Sequence, residues 1–281
     1  MNKHELIRVA SNFVESDEDN YIKKENAISD STVGMKIFEN PIFAFGDALD
    51  EFFIRLQDPD VIGSHFKMPK EWLPQAKTVV SFFLPFTENV KRSNSQERMW
   101  PSQEWLHGRI EGQAFLNKLS GFLQTELINS GHMSIAPSLD KSFWSKQKLD
   151  DENQLSFTSN WSERHVAFVC GLGTFGLSKG LITSKGMAGR FGSIVTELEI
   201  IPNEREYEGI YEYCSECGAC IKKCPVHAIT FENGKDHIVC CEFVDLTKNK
   251  YKPRYGCGKC QVSVPCESCI PVKSIKTTIY K

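Results

Sequence analysis

Eight of the eleven cysteines in this 281-residue chain are spaced in a way that suits iron–sulfur chemistry. The first four follow the pattern C-x2-C-x2-C-x3-C-P, which ends at Cys224-Pro225. Three thiolates from one tight loop bind three corners of a [4Fe-4S] cluster, and the fourth thiolate of such a run binds the other cluster in two-cluster ferredoxins. The pattern therefore predicts two clusters and a role in electron transfer.

The predicted cluster ligands form two sets of four. The first set is Cys214, Cys217, Cys220 and Cys266, and the second set is Cys224, Cys240, Cys257 and Cys260. Two positions remain open, because Cys241 adjoins Cys240 and Cys269 follows Cys266 by three residues.

Zinc and disulfides are the alternatives for these cysteines. A structural zinc site typically takes two separated pairs of ligands, whereas here three cysteines fall within seven residues. Disulfides are disfavoured because the N-terminus does not resemble a secretory signal, and the cytosol keeps thiols reduced. Cys170 lies far from the others and is expected to be a buried small side chain.

Charge and hydropathy narrow the functional classes. The formal net charge is −3 and the basic residues are dispersed, so the charge pattern does not indicate nucleic-acid binding. No apolar run reaches the length of a membrane span, and there is no twin-arginine leader. We expect a cytoplasmic protein without a membrane partner.

Hydrophobic periodicity predicts the elements that must position these cysteines. Helices are predicted over 3–14, 48–56 and 105–129, and strands over 78–84 and 192–200. Their irregular order favours an α+β fold over a doubly wound sheet. We expect two domains: residues 1–205 form an α+β cofactor and substrate domain, and residues 206–281 form a ferredoxin-like domain with a C-terminal tail.

A glycine motif, Gly171-Leu172-Gly173-Thr174-Phe175-Gly176, fits the dinucleotide fingerprint G-x-G-x-x-G. That fingerprint requires a strand before it and a helix after it. Here residues 161–170 read as a helix, and residues 178–186 contain too many glycines for one. The motif therefore favours a loop whose backbone approaches a flat cofactor over a Rossmann fold.

With these motifs in view, the chain resembles the epoxyqueuosine reductase family and, more distantly, the reductive dehalogenases. The likeness spans roughly residues 72–266. It is carried by residues 163–165, 171–179 and 192–193, by the first cysteine run and by residues 255–261.

The resemblance implies a nitroreductase-like α+β domain with base-off cobalamin, followed by a bacterial-type two-cluster ferredoxin domain. It implies that a low-potential donor such as a ferredoxin or flavodoxin supplies electrons, which pass through the clusters to cobalamin and then to an unknown substrate. The implied cofactor-binding residues are Ser134, Gly171, Gly173, Thr174, Gly176, Leu177, Gly192 and Ser193.

One departure from the family concerns the proton donor. Epoxyqueuosine reductases have an aspartate where this chain has Ser134, and a serine hydroxyl is a far weaker acid. Epoxyqueuosine reduction is therefore not expected, and the catalytic residue stays unknown. There are two alternative functions. The chain could be an electron-transfer or corrinoid-activating protein without its own small-molecule substrate, or a flavin-dependent reductase.

Arg109 and Arg190 are candidates for contacts with a corrin or an anion, although solvated surface positions are expected for them.

Overall fold

The computed structural model describes residues 1–149 and 155–272. The helices are α1 (Lys3–Ser16), α2 (Glu51–Arg55), α3 (Pro69–Trp72), α4 (Glu88–Gln96), α5 (Gln103–Asn129), α6 (Glu163–Val169), α7 (Ala219–Lys223) and α8 (His237–Tyr251). The strands are β1 (Ile42–Asp47), β2 (Thr78–Pro85), β3 (Ser134–Ile135), β4 (Ser145–Leu149), β5 (Leu155–Ser159), β6 (Gly173–Phe175), β7 (Leu181–Thr183), β8 (Gly189–Thr196), β9 (Ile229–Thr230) and β10 (Gly234–Lys235).

The central sheet has the strand order β1-β2-β8-β3, and every neighbouring pair is antiparallel. Strand β2 is buried along its whole length, as its continuous run of β-branched and aromatic residues predicts. Helices surround this antiparallel sheet without regular βαβ units, so the predicted α+β class is confirmed.

Two hydrophobic cores cover the two faces of the sheet. Successive side chains of a strand point to opposite faces. Accordingly, Phe82 packs in one core with Leu6 of α1 and Leu119 of α5. The next residue, Phe83, packs in the other core with Trp161 and with residues of α6. The sheet thus holds α5 and α6 on opposite sides.

The predicted elements agree well with the observed ones, apart from their boundaries. The helix expected over 105–129 is α5, which ends shortly before Gly131. The helix expected over 48–56 is shorter, and the strand expected over 192–200 starts at Gly189 and ends at Thr196. The sequence analysis did not predict β1 or α8.

The last cysteine segment packs back onto the first part of the chain. Met187 donates a backbone hydrogen bond to the carbonyl of Cys266 at 3.0 Å. Val262 belongs to the same core as α1 and α5. The division into domains at residue 205 stays a prediction, since the two parts share a core. Within the described residues, no helix is long and apolar enough to span a bilayer.

The packing of Gly192 leads to a stability prediction. A Cβ at this position would lie 2.5 Å from the Phe82 ring on the neighbouring strand, so Gly192→Ala forces the sheet apart. We expect a loss of about 1–3 kcal/mol, as for other overpacked cores. The loss is measured as a lower midpoint of thermal unfolding under anaerobic conditions.

Gly121→Ala is the matched control, because a Cβ there meets only the Leu139 side chain at 3.7 Å. It lies inside α5, where alanine is the better helix former by about 1 kcal/mol. Equal thermal midpoints for the two variants would contradict the packing role of Gly192.

Candidate active site

Two cavities are each lined by four cysteines. The first cavity is bordered by Cys214, Cys217, Cys220 and Cys266. The second has a volume of about 250 Å³ and is bordered by Cys224, Cys240, Cys257 and Cys260. Within residues 1–149 and 155–272, no group of three His, Cys, Asp or Glu side chains is arranged to hold a single metal ion. The second cavity is therefore larger than a site for one ion.

Glycines in the left-handed conformation let the backbone turn tightly beside the cysteines. Gly218 precedes α7 in the left-handed conformation at φ 69°, and Gly258 lies between Cys257 and Cys260 at φ 67°. Glycine adopts this conformation without steric cost. The backbone N–H of Ala228 donates to the sulfur of Cys224 at 3.2 Å. Such hydrogen bonds help to set the potential of a cluster.

The two open ligand positions differ in their surroundings. Cys241 points its thiol towards Asp245 at 3.9 Å, and Cys269 is exposed with its thiol 3.5 Å from the Pro265 carbonyl. Neither residue lines the cavity that its neighbour Cys240 or Cys266 lines. The geometry favours Cys240 and Cys266, whose role as ligands stays a prediction.

Without a bound cation, the surroundings of the cysteine thiols disfavour the ionised thiolate form. Burial, followed by the nearby Cys260, Cys214 and Cys217, raises the pKa of Cys220 to about 11. Burial, followed by Cys220 and Cys214, raises the pKa of Cys266 to about 12. A coordinating metal inverts this effect, because it deprotonates the thiol outright.

A third and larger cavity, which we call the central cavity, has a volume of about 450 Å³. It lies between α5, α6 and β8, and Phe143, Trp161 and Phe191 contribute apolar surface. The central cavity and the second cysteine cavity share a set of lining residues, namely Arg109, Arg164, Gly189, Arg190 and Gln261. The two spaces therefore adjoin.

Arginines concentrate at this junction. Arg190 donates to the Gly108 carbonyl, to Gln113 Oε1 at 2.9 Å and to the Arg109 carbonyl at 2.8 Å. Burial lowers the pKa of Arg190 to about 9. Arg109 lies 4.8 Å above the ring of Tyr255. Arg109 and Arg190 were expected to be solvated, but both are half-buried and line these cavities.

Glu163, at the start of α6, also lines the central cavity. Both of its carboxylate oxygens are buried, and neither has a hydrogen-bond partner among the described residues. Burial raises the pKa of Glu163 to about 8, and the nearby Ser193 and Ser138 act in the opposite direction. Sequence reasoning did not select Glu163. Its only signal was its place in the segment 163–165, which carries the family resemblance.

The glycine loop does not line the central cavity in the way the resemblance implied. Gly176 and Leu177 line the first cysteine cavity instead. Thr174 accepts a hydrogen bond from the Tyr213 backbone at 2.8 Å. Gly171 faces Asn203, and a Cβ on Gly173 would overlap the neighbouring strand β7. The loop attaches the sheet to the cysteine-rich part of the chain.

The remaining predicted cofactor residues also have structural partners. Ser134 is buried at the sheet edge opposite Thr196, and its hydroxyl donates to Thr196 Oγ1 at 2.8 Å. Thr196 ends β8, whereas the central cavity meets that strand at Gly189–Phe191. Gly192 makes room for Phe82, and Ser193 accepts from Trp161 Nε1 at 2.9 Å. Ser134 is thus held away from the central cavity.

Comparison with known proteins supports the observed fold and the iron–sulfur motif. Residues 207–230 match the model of a 4Fe-4S binding domain. A tetrachloroethene reductive dehalogenase from Desulfitobacterium hafniense is 30% identical over 117 residues, which is 39% of this chain and 21% of the relative.

Two solved structures share the fold over most of this chain. An epoxyqueuosine reductase with an epoxyqueuosine-modified tRNA-Tyr stem loop has a TM-score of 0.52 at 18% identity, covering 94% of this chain and 64% of the other. A catabolic reductive dehalogenase in complex with 3-bromo-4-hydroxybenzoic acid has a TM-score of 0.52 at 12% identity, covering 96% and 37%. The expected resemblance to both groups is confirmed at the level of the fold. The chain matches less than two thirds of the length of each of these proteins.

The cysteine geometry predicts which thiols hold iron. Cys266→Ser is expected to remove the cluster of the first set and to lower the iron content of anaerobically reconstituted protein to about half. Cys269→Ser, the matched control three residues away, is expected to keep the full iron content because Cys269 lies outside the cavity. Iron loss in Cys269→Ser but not in Cys266→Ser would reverse the assignment.

Proposed function

We propose that this chain is an iron–sulfur reductase with two [4Fe-4S] clusters, in which a nitroreductase-like domain holds base-off cobalamin and reduces an organic substrate. The observation that carries this proposal is the junction between the second cysteine cavity and the central cavity, which share five lining residues. Cofactors transfer electrons efficiently only when they lie close together, and this junction brings two suitable sites into contact.

The residues around the cavities fit these groups. Each cysteine set offers four thiols, the usual number for a [4Fe-4S] cluster. The central cavity offers aromatic surface from Trp161 and Phe191 and hydrogen-bond donors from Gln113 and Arg164, which suit a flat ring system with amide side chains.

When bound, the clusters supply single electrons at low potential, and cobalamin supplies a strongly reducing centre for electrophilic substrates. The chain itself supplies the surroundings. Lys235 and Arg164 line the second cysteine cavity beside the thiols. Burial lowers the pKa of Lys235, but the nearby Cys260 and Cys240 raise it above its usual value. Lys235 therefore stays cationic and offsets part of the negative charge of a thiolate-bound cluster.

The central cavity favours a small electrophilic substrate over a macromolecule. Arg109, Arg164 and Arg190 can bind an anionic group of the substrate or the anion that leaves it, since arginine recognises such groups with several donors. The related structures are named for epoxyqueuosine and for an aryl bromide, and both classes belong in a substrate screen for this chain.

Electrons are proposed to enter at the first cysteine set. Cys217 is exposed, whereas Cys224 of the second set is buried. Tyr211 and Phe231 near the first set expose 55% and 57% of their surfaces, so a partner protein can contact them. A cytoplasmic low-potential ferredoxin or flavodoxin is the proposed donor.

Anaerobic reconstitution with iron and sulfide, followed by addition of cobalamin or flavin, tests the proposed function. We expect corrin binding seen by absorbance, and turnover of an organohalide or epoxide with a chemical low-potential reductant. Flavin binding without corrin binding would favour a flavin-dependent reductase instead. Reduction of another protein's corrinoid without turnover of any small substrate would favour an activating role.

The arginines at the junction generate a binding prediction. Arg164→Met is expected to raise the dissociation constant for cobalamin by about tenfold or more, because a hydrogen bond from a charged group contributes about 1.5–3 kcal/mol. The measurement is an anaerobic absorbance titration at equal iron content. Arg92→Met, which removes an exposed arginine from α4, is the matched control and should bind as the wild type does. Unchanged affinity in Arg164→Met would exclude a contact with the cofactor.

A further inference from the structure

We propose that Glu163 is the acid that donates a proton to the reduced substrate in the central cavity. This inference rests on the proposed function and assigns its missing proton source. Ser134, which occupies the family position of the donor, is buried at the sheet edge and donates its hydroxyl to Thr196. A different group must therefore supply the proton.

The position of Glu163 suits this role. It is the first residue of α6, directly after Trp161 and Ser162, and all three line the central cavity. Its two carboxylate oxygens are buried and have no hydrogen-bond partner among the described residues. A buried ionised carboxylate without a partner is very costly, so the group stays protonated or binds a ligand. The protonated state suits a proton donor beside a substrate.

The packing around Glu163 preserves this state. Helix α6 contacts β8, whose Ser193 hydroxyl lies near the carboxyl group but also accepts from the Trp161 indole. Strands β2 and β6, which also contact α6, contain no titratable residue. The low polarity on this side of Glu163 raises its pKa to about 8.

The charged groups near Glu163 come from three elements. Arg164 follows it on α6, Arg109 comes from α5 and Arg190 from β8, and all three line the same cavity. His165 on α6 hydrogen-bonds to Ser162 at 2.7 Å, and burial lowers its pKa to about 4. His165 is therefore neutral near pH 7 and is a poor donor. Helix α2, also in contact with α6, carries the exposed Glu51 and Arg55. Cys170 follows α6 with its thiol buried against β2.

The proposed step replaces the leaving group on a substrate carbon with hydrogen. The bond between the substrate carbon and its leaving group breaks, and the leaving group departs as an anion. The carbon takes up two electrons, supplied one at a time by a low-potential donor of the ferredoxin or flavodoxin class. The O–H bond of Glu163 breaks as its proton bonds to that carbon, and the resulting carboxylate regains a proton from water.

Glu163→Gln in the reconstituted holoprotein tests this role, because glutamine fills the same space but carries no acidic proton. We expect kcat to fall by roughly 10²-fold or more, the usual contribution of a general acid. Wild-type kcat should be constant below pH about 8 and fall above it, since only the protonated form donates. Glu163→Asp should keep part of the wild-type kcat and should still lose activity at high pH. In Glu163→Gln, the residual kcat should not decline at high pH.

Glu51→Gln is the matched control, because Glu51 also begins a helix but is exposed and does not line the central cavity. It should retain the wild-type rate and pH profile. Cluster and cofactor content are measured for every variant. A Glu163→Gln variant that turns over at the wild-type rate overturns the role of Glu163 and leaves the proposed function intact. A fully loaded wild-type protein that reduces no substrate overturns both.

Infrared difference spectroscopy gives a readout that does not require turnover. The cofactor-free wild-type protein at pH 6 should show the C=O stretch of a buried protonated carboxylic acid, and this band should disappear as the pH is raised through about 8. Glu163→Gln should lack the band and Glu51→Gln should keep it. A spectrum that is identical for wild type and Glu163→Gln shows that Glu163 is ionised at pH 6, and it contradicts the proposal.

Discussion

The attachment of the last cysteine loop to α4 and α5 is the constraint on which the rest of the site depends. Lys259 is only 3% exposed, and its ammonium group donates to the Asn94 carbonyl at 2.7 Å and to the Glu97 carbonyl at 2.6 Å. Asn94 in turn donates to the Cys257 carbonyl at 3.0 Å. Because a buried ammonium must be fully hydrogen-bonded, these contacts hold Cys257 and Cys260 at the wall of the second cysteine cavity, which adjoins the central cavity.

Close packing supports the same attachment. Gly258 lies against Trp105, where any side chain would overlap the indole. Trp105 itself packs against Phe86 in the core that α1 and α5 share. The cysteine loop is therefore part of the main hydrophobic core. Rigid packing of this kind holds the cysteine loop in a constant position beside α5.

Charge differs between the two cysteine cavities. The second cavity is lined by Arg109, Arg164, Arg190 and Lys235, whereas the first is lined by Glu216 and no basic residue among those described. Positive charge stabilises the reduced, more negative form of a cluster, so in the proposed arrangement a cluster in the second cavity would hold an electron more readily than one in the first. Arg109, Arg164 and Arg190 also border the central cavity, where the carboxylate oxygens of Glu163 are buried.

The sequence by itself determined the elements and motifs whose signal is local. The buried run of β2, the periodicity of α5 and the cysteine spacing could all be predicted, because neighbouring residues alone produce them. The tertiary structure decided which distant groups meet. It separated Ser134 from the central cavity and placed the buried Glu163 within it, since sheet register and desolvation depend on residues far apart in the chain.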